Sequence, residues 1–174
     1  MEKVKNETQT KRELVITRII NAPRELVFKA FTESERLAQW WGPKGSEIKV
    51  SKLELRPGGT FLYNMSRPDG LLLWGKFVYR EIIAPERIVF INSFSDENGN
   101  IIRAPFSETF PLEVMNTLTL TEENGKTTLT LRGLPINATD EENETFFAMT
   151  EGMQQGFKGT FDQLEEYLNK IQSK

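Results

Sequence analysis

Apolar residues recur every three or four positions through the C-terminal part of the chain. Phe146, Met149, Met153, Phe157, Phe161, Leu164, Leu168 and Ile171 fall on one broad stripe. That period predicts a long amphipathic helix, continuous from at least Glu144 to Leu168. Thr139 and Glu142 stand at capping-box spacing just before it, and Asp140, Glu141 and Glu144 add negative charge where the helix dipole favours it. The acidic run therefore has a structural reason and is not read as a metal site. A second row, Gly152, Gly156 and Gly159, adjoins the stripe. Each glycine costs a helix roughly 1 kcal/mol relative to alanine. Either another backbone packs closely on the row, or the row helps to wall a space.

The rest of the chain alternates at the shorter period of strands. Leu14 to Ile20 is β-branched and apolar. Pro23 is expected at a first helical position, and Leu26, Val27, Ala30 and Phe31 mark a short amphipathic helix. Thr32 and Glu35 have capping-box spacing for a second short helix, Glu33 to Trp40, ended by Gly42-Pro43. Strands are expected over Glu47–Arg56, Thr60–Arg67, Leu72–Ile83 and Arg87–Phe94, separated by Pro/Gly turns. Residues 95–111 are too long for a plain connector. Val114–Glu122 and Thr127–Arg132 form a hairpin around Asn124-Gly125, with Leu118, Leu120, Leu129 and Leu131 on a shared face. One strand, two short helices, further antiparallel strands and one long helix make an α+β layer arrangement, in which a curved sheet encloses a pocket against the helix.

Composition narrows the chemistry. The chain has 174 residues, a length that suits one domain (13–172) after a polar tail, 1–12, which is expected to be flexible. It has no Cys and no His. That removes disulfides, thiolate chemistry, the commonest metal ligand and any Ser-His triad. Acid–base work would rest on Asp, Glu, Lys or Tyr with shifted pKa values. Net charge is −3 with both signs well mixed, so there is no basic stripe for nucleic acid. No apolar run approaches the ~20 residues of a membrane span, and the N-terminus lacks a signal-type apolar region. A cytoplasmic protein, monomer or weak dimer, is expected.

Several segments carry a family resemblance. They are Ala22-Pro23 through Phe31, FTESERLAQWWGP (31–43), RPGGTF (56–61), APERIVF (84–90), the PF…FPLE…NTLTLTEENGKTTLTL stretch (105–131) and MQQGFKGTFDQLEEYL (153–168). In this order they resemble the START-like (SRPBCC, helix-grip) superfamily. The likeness is to the branch that includes the C-terminal domain of the activator of the ninety-kilodalton heat-shock chaperone ATPase and the polyketide-cyclase-like proteins. It spans residues 14–170. The resemblance implies a curved antiparallel sheet of six to seven strands wrapped round the C-terminal helix, with two short helices after the first strand and a hydrophobic cavity between sheet and helix. It implies no single chemistry, so function has to come from the site.

The candidate ligand-binding set is Trp40, Trp41, Phe61, Tyr63, Met65, Trp74 and Phe77 from the sheet side, with Met149, Met153 and Phe157 from the helix. Trp40-Trp41-Gly42-Pro43 reads either as a gate at a cavity mouth or as a packing anchor. The other aromatics and methionines suit a pocket with mostly apolar walls or, equally, a solid core. Tyr63, Glu81, Asn116 and Arg132 are polar residues within strands, and one that points inward needs a partner or a ligand. Glu81 would be a candidate acid if it were buried; Arg103 and Glu108 could reach a ligand from the long loop. No catalytic residue, metal or cofactor is assigned. The expected function is binding of a small hydrophobic or amphipathic ligand. The alternatives are a protein–protein role on a chaperone ATPase, or a cyclase- or hydratase-type enzyme.

Overall fold

The computed structural model describes residues 13–173; the tail expected over 1–12 lies outside them. The described chain runs β1 (Leu14–Ile20), α1 (Arg24–Thr32), α2 (Ser34–Trp40), β2 (Glu47–Leu53), β3 (Thr60–Ser66), β4 (Leu72–Ile83), β5 (Arg87–Ser95), β6 (Val114–Glu123), β7 (Lys126–Pro135), α3 (Asp140–Ala148) and α4 (Thr150–Gln172). The seven strands form one antiparallel sheet in the order β1-β7-β6-β5-β4-β3-β2. Register shifts at Val50/Lys52 and Tyr79/Glu81 mark bulges, which sharpen its twist. The β6–β7 hairpin turns on Asn124 (φ 53°) and Gly125 (φ 77°), the left-handed pair that a tight two-residue turn requires. This is the helix-grip arrangement, an α+β fold with the helices on one face of a curved sheet.

The concave face is filled at its two ends by two separate cores. The larger joins α1, α2 and the C-terminal half of α4 to the sheet through Phe31, Leu37, Trp40, Leu118, Leu129, Leu131, Phe161, Leu164 and Leu168. The smaller gathers Leu14, Ala104, Phe110, Val114 and Phe146 beneath α3 and the β5–β6 loop. The apolar stripe is therefore not one helix. The chain breaks at Met149 (φ −99°, ψ 1°), with the Met149 N–H donating to the Phe146 and Phe147 carbonyls and the Thr150 hydroxyl to the Phe147 carbonyl. Periodicity alone does not register the break, because Phe146 and Phe161 each face a core, but not the same one.

Two caps were expected and one forms. The Thr139 hydroxyl accepts from the Glu142 N–H at 3.1 Å, while Glu142 Oε1 accepts from the Thr139 N–H at 2.9 Å. Thr32 is no cap: its hydroxyl donates to the Phe28 carbonyl inside α1, and α2 starts from Glu33 with no side-chain cap. Glu142 also takes the Arg103 guanidinium, tying α3 to the β5–β6 loop. The Thr139 N–H first, and Arg103 next, hold its carboxyl below the ordinary value of 4.5. A depressed carboxylate contributes stability that is complete above its unfolded value and is lost as pH falls through its lower folded value. Glu142→Gln, which keeps the cap and loses the charge, should melt below the wild type at pH 7. Thermal melts at decreasing pH should show that gap closing below about pH 4.5.

Arg18 was not singled out in the sequence, yet its register opposite Leu129 aims it inward. It donates to Asp162 at 2.5 Å and Glu165 at 3.0 Å, fastening α4 to the edge strand β1. No helix among the described residues is long and apolar enough to cross a membrane.

Candidate functional site

A pocket opens where the two cores fail to meet. The N-terminal half of α4 stands off the sheet: the helix's buried residues, Thr160, Phe161, Leu164 and Leu168, start only at its middle. Beneath the first half is a cavity of about 440 Å³, open to solvent on one side. That size lies within the roughly 300–1,000 Å³ usual for small-molecule sites. Its floor is sheet: Leu14, Tyr63, Met65, Gly75, Asn92, Ser93, Phe94, Val114 and Asn116. Its roof is Phe146, Met149, Met153, Gly156, Phe157 and Thr160, and its ends are Trp41-Gly42-Pro43 and Phe106, Phe110 and Pro111 of the long loop.

Of the candidate residues, Trp41, Tyr63, Met65, Met149, Met153 and Phe157 line this pocket. The other four lie elsewhere. Phe61 and Phe77 are inward but fully packed: Phe61 stacks on Tyr63 with centroids 4.7 Å apart, and Phe77 stacks on Phe90 at 4.1 Å. Trp74 belongs to the other side of the sheet. Gly75, Phe77 and Tyr79 carry the inward parity of β4, so side-chain alternation turns Trp74 away. Trp40 is an anchor; it is 1% exposed, and its indole N–H donates to the Ala30 carbonyl at 3.0 Å. Of the double tryptophan, Trp40 is a packing anchor and Trp41 lines the cavity.

The strap that carries Trp41 is held by α4. The Gly42 carbonyl accepts from the Thr160 hydroxyl at 3.0 Å and from Gln163 Nε2 at 2.8 Å. Gly42 has φ +96°, a conformation that favours glycine, and a Cβ there would also crowd the tip of Ile48 at 2.7 Å. Trp41 then sits edge-on to Phe77 at 5.4 Å and to Tyr63 at 6.3 Å. Its indole nitrogen is closed off from solvent and meets no acceptor at hydrogen-bonding geometry among the described residues.

Polar groups are few and uncharged. Tyr63, on β3, lies over Gly75 of β4: a Cβ on Gly75 would come within 2.6 Å of the Tyr63 hydroxyl oxygen. Burial pushes the Tyr63 phenol above its usual value, and the neighbouring Trp41 and Asn92 side chains offset part of that rise. Asn92 donates Nδ2 to the Lys76 carbonyl at 3.1 Å, and Asn116 donates Nδ2 to the Val114 carbonyl at 3.3 Å. Asn116, like Tyr63, is inward. The other two point out. Glu81, past the β4 bulge, pairs with Arg87 at 2.7 Å in solvent, and Arg132 pairs with Glu13. Glu81 is no pocket acid. Arg103 is committed to Glu142 and the Phe110 carbonyl, and it does not line the cavity.

The glycine row does not serve close packing, and of its three residues Gly156 alone is among those that line the cavity. A Cβ on Gly152, Gly156 or Gly159 would meet nothing within 4 Å. The loop aromatics Phe106 and Phe110 were missed, although an over-long connector carrying Ile101, Ile102, Phe106 and Phe110 is a signal in itself. Among the described residues, no cluster of three or more His, Cys, Asp or Glu could hold a metal ion.

Known proteins share this architecture. Protein Ms6760 of Mycobacterium smegmatis is 27% identical, with 91% of each chain covered and a TM-score of 0.74. A protein of Arthrobacter aurescens is 25% identical over 91% of this chain and 86% of its own, with a TM-score of 0.75. The AHSA1 protein of Silicibacter pomeroyi, at 19% identity and a TM-score of 0.67 over 90% and 97% of the two chains, shares the fold. No curated protein matches the sequence. Residues 21–169 match the family described as Activator of Hsp90 ATPase homolog 1-like protein. The match takes in both short helices, strands β2 to β7 and nearly all of α4, and on it the chain belongs to that family.

Proposed function

We propose that this protein binds a small, largely apolar molecule in the cavity between α4 and the sheet. The observation that carries this reading is the unfilled seam itself. A 440 Å³ space lies between two well-packed cores and is lined by aromatic rings and three methionines. A solid core would have closed it, since interiors pack to crystal density. Methionine side chains adapt to varied shapes, which suits a wall that must close on a guest. Catalysis is the weaker reading, because Tyr63 is the single titratable group among the described lining residues and burial keeps it protonated. A proton-moving enzyme needs a base near its working pH.

Titration with the neutral fluorophore N-phenyl-1-naphthylamine tests the proposal. Binding at micromolar affinity, roughly −8 kcal/mol, is expected. Gly156→Leu should weaken it at least tenfold while leaving the fold as stable or more so. Leucine is the better helix former, and its side chain would enter the cavity mouth. Gly159→Leu, one turn on and outside the lining, should bind the probe like the wild type. Absence of binding would remove the carrier reading and bring the protein–protein role to the front.

A further inference from the structure

The inward row of polar groups runs across the floor from strand to strand. Tyr63 of β3 faces Gly75 of β4 in register; Asn92 of β5 faces Val114 of β6; Asn116 faces Phe90 and, on its other side, Gly133 of β7. Asn92 and Asn116 are therefore diagonal neighbours on adjacent strands, within reach of one small molecule. Each spends one N–H on a backbone carbonyl. A primary amide has a second N–H and an acceptor oxygen besides. Gly133 makes room for this: a Cβ there would lie 2.8 Å from Asn116 Oδ1. Around these amides the described lining holds no Asp, Glu, Lys or Arg.

Such a wall discriminates by charge. An ionised carboxylate carried inside would lose its water and find no cation to replace it, a cost far larger than any apolar gain for a molecule of this size. An uncharged hydroxyl or ketone exchanges its water for an amide at nearly no loss.

We propose that the pocket selects uncharged aromatic molecules bearing a carbonyl or hydroxyl group, seated on Asn92 and Asn116, and that it rejects small carboxylates. The proposal rests on the binding reading above and refines what is bound.

Three naphthalenes of nearly equal shape separate the terms: 2-acetylnaphthalene, 2-ethylnaphthalene and 2-naphthoate at pH 7.5. Quenching of tryptophan fluorescence reads the titration, because Trp41 lines the pocket. The ketone should bind tightest, the ethyl compound about three- to tenfold weaker, and the anion at least tenfold weaker than the ketone. Asn116→Leu should close the gap between the ketone and the ethyl compound, a change read in the ratio of their two affinities. If that variant does not fold, Asn92→Leu serves, since Asn92 is less buried, and the same convergence is expected. Equal binding of naphthoate and the ketone would overturn the charge selection while leaving the pocket standing. Equal binding of the ketone and the ethyl compound would overturn the role of the amides. If none of the three binds, the binding reading falls and the selectivity falls with it.

Discussion

Replacing Phe161 by alanine should lower the free energy of unfolding by about 3–5 kcal/mol, the range for a fully buried aromatic. Phe161 is 0% exposed; its ring centroid lies 5.7 Å from that of Phe157, on which it stacks, and 6.4 Å from those of Phe31 and Trp40. It is the residue at which α4, the two short helices and the sheet meet, so its removal leaves a hole that no single element can close. Phe157→Ala, one turn away, should cost distinctly less. That ring is only partly buried and already borders a cavity, so little new void is made. Urea midpoints for the two variants check the contrast. Equal losses would mean that the space beneath the first half of α4 is closed in solution.

The second large effect is expected on the floor of the pocket. Gly75 carries Tyr63 against its bare backbone, with the hydroxyl oxygen 2.6 Å and the ring carbon Cζ 2.7 Å from where a Cβ would stand. Gly75→Ala therefore forces the Tyr63 ring off its seat. Overpacking of this kind costs about 1–3 kcal/mol. The ring is stacked on Phe61 beneath and flanked by Phe77 and Trp41, which leaves the cavity as its free direction. Gly75→Ala should thus lower the denaturation midpoint and also weaken N-phenyl-1-naphthylamine several-fold. A loss of stability with unchanged affinity would show that the ring moves elsewhere.

Much of this architecture is legible along the chain, for identifiable reasons. The hairpin at Asn124-Gly125 needs positive φ at both residues, and few residue pairs tolerate that, so both turn and register could be read. The α3 cap was legible because Thr139 and Glu142 satisfy each other locally. Thr32 has the same spacing, but its hydroxyl bonds back to Phe28 instead, a choice that the neighbouring turn makes and the spacing does not.

The site was legible where it depends on one helix face, and less so where it depends on strand parity. Met149, Met153 and Phe157 follow from the period of the stripe. Trp74 and Phe77 differ by three positions, so alternation cannot place both inward, and the register that decides between them is set by β3 and β5 rather than by β4 itself. The amide floor had weaker signals still. Asn92 lies in an apolar strand with nothing to mark it, and Gly75 and Gly133 show their purpose only once Tyr63 and Asn116 are seen across from them. The break at Met149 is the largest miss, because Phe146 and Phe161 on its two sides belong to different cores.

The most direct measurement of the central claim uses the methionine methyl groups. Met65, Met149 and Met153 line the cavity, whereas Met115, between inward Val114 and Asn116 on β6, faces the opposite side of the sheet. In methyl-labelled protein titrated with 2-acetylnaphthalene, the Met65, Met149 and Met153 resonances should shift together along one saturating isotherm, and Met115 should stay in place. A titration that moves Met115 alone, or moves none of the four up to millimolar ligand, would contradict a binding site between α4 and the sheet.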